Sequence, residues 1–247
     1  MSRFAVIVAA AGSGTRFQSG NQKKTYAVLA GKPLWLHSVE RFAARDDVDQ
    51  IVIVVSPEDE VWFAETYGDL LAALRVDIVA GGSERFESVE NGLSRVRSEI
   101  DFVAVHDGAR PCLSGALLER IFATAREHGN AVPAVAVSST LKRSSDGVRV
   151  GETVDRSELF QSQTPQVFRQ SDLEAAFQNR GELQPTDEAQ LMEMLGHPVF
   201  LAEGCTLNRK VTSQQDMQFA EAAMSVLSTS DSKPVHFDGP IGDSTLR

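Results

Sequence analysis

The sequence predicts an α/β fold with a mostly parallel central sheet and helices on both faces. Two observations predict it. Short β-branched runs recur along the chain without the polar alternation of half-exposed strands, as expected where both sheet faces are covered. Longer stretches of helical spacing separate them, and repeated strand–helix–strand units bring consecutive strands together in parallel through right-handed crossovers.

Phe4–Ala9 reads as the first strand, stopping at a glycine-rich turn. Pro33–Arg45 places Leu34, Leu36, His37, Val39, Phe42 and Ala43 at helical spacing, with Pro33 suited to a first helical turn. Ile51–Val55 is the next strand and Glu58–Leu74 the next helix. Arg75–Val79 and Glu84–Val96 repeat the pair, as do Phe102–Val105 and Gly115–Glu127, and Ala131–Val137 adds a further strand. From Ser138 to Leu159 the texture turns polar. Asp146-Gly147 there signals a hairpin between Leu141–Arg143 and Val148–Val150. A hairpin this polar has little reason to pack on its own core, so an arm reaching a second subunit is expected over about 138–159, with a plain solvent loop as the alternative. Helical spacing returns at Gln170–Gln178 and at Thr186–Leu195, where Asp187 and Glu188 suit the first turn. A strand at Val199–Ala202 and a helix at Gln214–Leu227 follow. Residues 1–228 are expected to form one domain, and 229–247, which lose all periodicity, a disordered tail.

The 247 residues are 42% hydrophobic and 23% charged, ordinary for a chain able to bury a core without staples. A net charge of −10 disfavours a nucleic-acid-binding face and makes clustered cations conspicuous, so a small anion is the expected ligand. Cys112 and Cys205 are too few for a disulfide framework. The N-terminal apolar run is too short for a membrane span and reads better as a strand than as a signal peptide. A cytoplasmic protein with no membrane partner is expected.

Ligands of open α/β sheets bind beyond the carboxyl ends of the strands. The stretch Ala10-Ala11-Gly12-Ser13-Gly14 is at such an end, and its glycines let backbone N–H groups approach phosphate oxygens. Arg16 adds a planar fork and Lys24 a point charge, with Lys23 the alternative to Lys24. GSGTRF lacks the third glycine of a dinucleotide fingerprint and the Gly-Lys-Ser/Thr of a Walker loop. A second buried run ends in His106-Asp107-Gly108-Ala109-Arg110-Pro111. Asp107 is placed either to hold Mg²⁺ opposite a phosphate loop or simply to cap the next turn. Arg110 pairs with Asp107 or with a phosphate, and His106 suits a structural hydrogen bond. Gly81-Gly82-Ser83-Glu84-Arg85, ahead of a helix containing Ser88, either lets a flat base lie against backbone or is a plain capping loop.

Seven stretches then stand in order: AAGSGTRF, GGSERFESV, HDGARP, STLKR, TVDRSELFQSQTPQ, TDEA and NRKVT. On them the chain resembles the 2-C-methyl-D-erythritol 4-phosphate cytidylyltransferases of the non-mevalonate isoprenoid pathway, from Phe4 to about Leu227. The resemblance implies a Rossmann-like nucleotidyltransferase fold with a protruding β-arm, acting as a homodimer. It implies transfer of a cytidylyl group from CTP to methylerythritol 4-phosphate. Arg16, Lys24, Arg156 and Lys210 are then the catalytic cations. Ala10, Ala11, Gly12, Gly14, Gly82, Ser88 and Gly108 accompany Arg16 and Lys24 around the nucleotide, and Asp107 holds Mg²⁺. Arg110, Thr140, Arg156, Thr164, Thr186 and Lys210 bind the acceptor, the arm residues reaching the partner subunit's site. The chain departs from the family at Ser139 and Cys205, each an aspartate there, and at Arg209, usually isoleucine. Those changes touch the acceptor half. They keep a sister enzyme for another polyol phosphate, such as ribitol 5-phosphate, as one alternative; a nucleotide-binding protein without catalysis is another.

Overall fold

A computed structural model of the chain describes residues 2–12 and 23–230. After β1 (Phe4–Ala9), the short pair β2 (Val28–Leu29) and β3 (Lys32–Pro33) leads into α1 (Leu34–Ala43). Then come β4 (Val48–Val55), α2 (Glu60–Leu74), β5 (Val76–Ala80), α3 (Arg85–Leu93), β6 (Phe102–Asp107), α4 (Gly115–His128) and β7 (Asn130–Ala136). These form the expected alternation. Pro33 stands just before α1 rather than inside it, because its residue pairs with Val28 in extended conformation.

β1 pairs in parallel with β4 on one side and β6 on the other, and β5 extends the sheet from β4, also in parallel. Alternate residues of β1 serve different layers. Phe4, Val6 and Val8 pack with Trp35 of α1, Phe63 of α2 and Phe122 of α4. Ile7 joins Val103 and Val105 of β6 against Phe86 and Val89 of α3. Both faces are thus covered, which is why these strands read as continuous apolar runs.

The second half departs further from expectation. The arm's β8 (Leu141–Arg143) pairs with β9 (Glu152–Val154), not with Val148–Val150. The Asp146 carboxylate accepts the backbone N–H groups of Val148 and Arg149, both at 2.9 Å, so these donors are already taken and the ladder starts farther down. Two strands escaped the sequence reading: β10 (Phe160–Ser162) and β11 (Gln166–Arg169). Both run antiparallel to β7, and β11 is inserted between β6 and β7. The chain continues through α5 (Gln170–Gln178) and α6 (Glu188–Met194), which join the α3 layer, to β12 (Leu201–Glu203), parallel to β7. Asp187 is the N-cap of α6, its carboxylate accepting from Gln190 N, rather than a first-turn residue. Last is α7 (Gln214–Ser230), whose Ala220, Ala223 and Leu227 pack on Leu29 and Leu34. The expected tail lies outside the described residues from position 231 onward. Among the described residues no helix is long and apolar enough to cross a membrane.

Candidate active site

The parallel strands β1, β4, β5 and β6 all end at one edge of the sheet. Ala9 lies across from Asp107 on one side and Val54 on the other, and Val55 lies across from Ala80. The chain runs outward from β1 through β4 to β5, then returns to place β6 on β1's other flank. That reversal opens a crevice at the strand ends. A cavity of about 710 Å³ occupies it. Of the expected nucleotide residues, Ala11, Gly12, Lys24, Gly82, Ser88 and Asp107 line it. Ala10 and Gly108 are engaged just beside it, donating from their N–H groups to Val54 O at 2.8 Å and Ala9 O at 3.0 Å. Gly14 and Arg16 lie outside the described residues.

Close packing shapes one wall. A Cβ at Gly81 would sit 2.7 Å from both Ala11 Cβ and Ser88 Oγ, so no side chain fits there. Ser88 Oγ accepts from Gly82 N and donates to Glu84 O, each at 3.1 Å. Glu87 accepts from Ser83 N at 2.8 Å and Glu84 N at 3.1 Å, closing the first turn of α3. The glycine loop is therefore both a helix cap and a cavity wall.

The two lysines separate clearly. Lys23 Nζ pairs with Glu58 at 2.6 Å and Asp59 at 2.7 Å, and also bonds Ser56. Lys24 lines the cavity. Its segment is pinned by Thr25 Oγ1 donating to Ala10 O at 3.3 Å and by the Tyr26 hydroxyl donating to Asp59 at 2.9 Å. Lys24→Ala is expected to slow turnover about 10²-fold and Lys23→Ala only a few-fold. Initial rates of the two variants check this, and equal losses would refute the assignment.

Asp107 is the carboxylate common to this cavity and a second one of about 170 Å³. Its side chain is 9% exposed. Lys210 Nζ approaches Oδ2 at 2.9 Å and Arg110 Nε at 3.4 Å, while Arg85 Nε faces Oδ1 at 3.5 Å. Burial pushes the Asp107 carboxyl up, but Lys210, Arg85 and Arg110 together outweigh it and hold it well below the ordinary carboxylate range. Among the described residues no three His, Cys, Asp or Glu side chains gather as a metal cage. Among the described residues the contact at Oδ1 is the long one from Arg85, so Asp107 suits a Mg²⁺ ion that takes one protein oxygen and draws the rest from phosphate and water.

Neighbouring bonds fix this centre. Asn208 Nδ2 donates to Thr164 O and Val211 N to Ala109 O, both at 2.8 Å, which brackets Lys210. Arg110 Nη1 donates to Asn208 O at 3.0 Å. His106 is fully buried, and burial lowers its pKa to about 4, so the ring is neutral near pH 7. Nε2 faces the Arg110 carbonyl at 3.1 Å, which can only accept, so Nε2 carries the proton. Nδ1 then accepts from Thr164 Oγ1 at 3.1 Å, and that oxygen accepts from Asp107 N at 3.1 Å. His106 thus has the structural role its position suggested.

Arg110, Thr164, Thr186 and Lys210, all expected at the acceptor, line the smaller cavity. Thr140 and Arg156 line neither cavity; both are exposed on the polar arm. Among the lining residues that carried no role in the sequence reading are Arg85 and Gln166. Arg85 stood out as a charge beside a glycine loop, and Gln166 closes the stretch TVDRSELFQSQTPQ two residues after Thr164, but the partner of neither could be read from its own segment. A third cavity, of about 590 Å³, opens at the amino ends of β4 and β5, beside Arg45, Arg75 and Arg97 and away from Asp107.

Known proteins resemble the chain over most of its length. A family profile described as IspD, 2-C-methyl-D-erythritol 4-phosphate cytidylyltransferase, matches residues 4–226. A protein of that name from Rhodopirellula baltica is 43% identical over 232 residues, covering 89% of this chain and 93% of the relative. A bifunctional enzyme IspD/IspF from Rhodospirillum rubrum is 41% identical over 223 residues; the match takes in 90% of this chain but only 57% of the relative's length. The crystal structure of 2-C-methyl-D-erythritol 4-phosphate cytidylyltransferase from Thermus thermophilus superposes with a TM-score of 0.75 at 30% identity, covering 91% of this chain and all of that one. The chain belongs to the 2-C-methyl-D-erythritol 4-phosphate cytidylyltransferase family.

Proposed function

We propose that this chain transfers the cytidylyl group of CTP to 2-C-methyl-D-erythritol 4-phosphate, giving 4-diphosphocytidyl-2-C-methyl-D-erythritol and pyrophosphate in isoprenoid precursor synthesis. The observation that carries it is the shared wall of the two cavities, Arg85, Asp107 and Lys210. A phosphate oxygen of the acceptor attacks the α-phosphorus of CTP, the bond to the β-phosphate oxygen breaks, and pyrophosphate departs with the electron pair. Both reactants are anions, and a phosphate monoester is largely ionised near pH 7, so no general base is required. Alignment and charge offset are what the protein supplies. Gly82 and Ser88 lie against the base, Lys24 and Arg16 grip the triphosphate, and Lys210 serves both reactants. Arg110, Thr164 and Thr186 seat the acceptor. Mg²⁺ on Asp107 offsets triphosphate charge when bound. The free cysteines suit a cytoplasmic setting.

Incubation with each of the four nucleoside triphosphates, Mg²⁺ and either methylerythritol 4-phosphate or ribitol 5-phosphate tests the assignment. The expected product by mass is the cytidine diphosphate of methylerythritol. Preference for another base or for ribitol phosphate overturns it.

The working unit is a homodimer in which each arm brings Thr140 and Arg156 to the partner's acceptor pocket. Support comes from an exposed polar hairpin, held internally by Arg143–Glu152 at 2.9 Å, whose two acceptor candidates line neither cavity of their own chain. Mixing Arg156→Ala with Lys210→Ala chains after denaturation and refolding is expected to restore about a quarter of wild-type activity. Half the dimers are then mixed, each with one intact site. No recovery means that Arg156 acts within its own chain.

A further inference from the structure

Among the described residues of the site, Arg85 alone forms a bidentate fork on a buried carboxylate. Its Nη1 and Nη2 meet the two oxygens of Glu188 at 2.7 and 3.0 Å, a bidentate fork. Glu188 is 1% exposed, and this fork satisfies both of its oxygens. With both terminal nitrogens committed, the remaining Nε faces Asp107 Oδ1 at 3.5 Å. Lys210 and Arg110 address the other oxygen, Oδ2. The two oxygens of Asp107 are therefore met by cations from different segments of chain.

The anchor is itself rigid. Glu188 opens α6, directly after the N-cap Asp187 and the acceptor-side Thr186. Gln166 of β11 clasps that turn, donating to Asp187 Oδ2 at 2.8 Å and accepting from Ala189 N at 3.0 Å. Arg85, for its part, ends the glycine loop on the nucleotide side. One guanidinium thus ties the nucleotide wall to the acceptor wall, with Asp107 between them. Its charge is matched by Glu188, unlike that of a cation kept for phosphate.

We propose that Arg85 is a positioning residue: clamped on Glu188, it sets the orientation of Asp107 and the spacing of the two substrate sites. It acts on alignment, so its loss lowers kcat while leaving CTP affinity nearly intact. This rests on the cytidylyl-transfer reaction above, which wild-type turnover in the same assay tests separately.

Arg85→Lys tests it, since one ammonium preserves the charge but cannot hold both Glu188 oxygens and still face Asp107. The expected result is a kcat at least about tenfold lower, with CTP Kd by calorimetry within about threefold of wild type and an unchanged circular dichroism spectrum. A second variant, Arg85→Met with Glu188→Leu, replaces the buried pair by apolar groups, a change that folded proteins often tolerate. It is expected to fold and to remain as slow as Arg85→Lys. Wild-type kcat in Arg85→Lys overturns the proposal. So does a loss of CTP affinity as large as the loss of kcat, a loss of kcat that merely tracks the unfolded fraction, or a fully active double variant.

Discussion

A Lys210→Met variant is expected to turn over about 10³ times more slowly than wild type, roughly 4 kcal/mol of lost transition-state stabilisation. Lys210 borders both cavities, with Nζ 2.9 Å from Asp107 and its side chain 40% exposed. In the proposed reaction it is the cation placed to offset charge on both the attacking phosphate and the departing pyrophosphate. Methionine keeps the aliphatic stem and removes the ammonium. Asp107 retains Arg85 and Arg110, so the carboxylate is not stranded and the fold survives. Asn208 and Val211, which hold the segment through Thr164 O and Ala109 O, are untouched. Pyrophosphate release under saturating substrates measures the effect. A loss smaller than about tenfold would mean that Lys210 only balances Asp107.

Asp107→Asn is expected to move binding and turnover in opposite directions. The change is nearly isosteric, but it deletes the charge that Lys210, Arg110 and Arg85 share. Without divalent ions, CTP meets a more positive wall and binds about tenfold tighter, close to 1.4 kcal/mol. With Mg²⁺, turnover is expected to fall about 10²- to 10³-fold, because an amide would be a poor ligand at the proposed Mg²⁺ position and would no longer order the three cations. The pH dependence follows from the sign of the shift. Asp107 is held below the ordinary carboxylate range, so it stays ionised from pH 5 to 8, and its contribution to stability is lost only as pH falls through its depressed value. The variant should therefore differ from wild type as much at pH 5 as at pH 8. Calorimetry with and without Mg²⁺, beside rates at both pH values, checks each part. Weaker CTP binding without metal would contradict the electrostatic account.

Much of the site was legible because its residues sit at ends of strands that read plainly. Gly12, Gly82 and Asp107 each follow or close a β-branched run, and parallel pairing carries such ends to one edge. The sequence favoured Lys24 over Lys23 only through its spacing from Tyr26; the ion pairs of Lys23 with Glu58 and Asp59, remote in sequence, support that preference and could not be read locally. Arg85 was visible as a charge in a glycine loop, but its partner lies 103 residues away. β11 was missed because Gln166–Arg169 has only two apolar residues between polar ones, and its neighbours β6 and β7 supply the pairing.

The sequence by itself determined the alternation of strands and helices, the glycine turn after β1, the polar arm and, through its ordered motifs, the family. Local periodicity and turn chemistry act over a few residues, so they leave a trace that can be read along the chain. Only the tertiary structure decided the antiparallel strand between β6 and β7, the wider arm ladder below Asp146, and the assembly of Lys210, Arg110 and Arg85 around one carboxylate. Those features rest on pairing, burial and charge between segments far apart in sequence, which local composition does not encode.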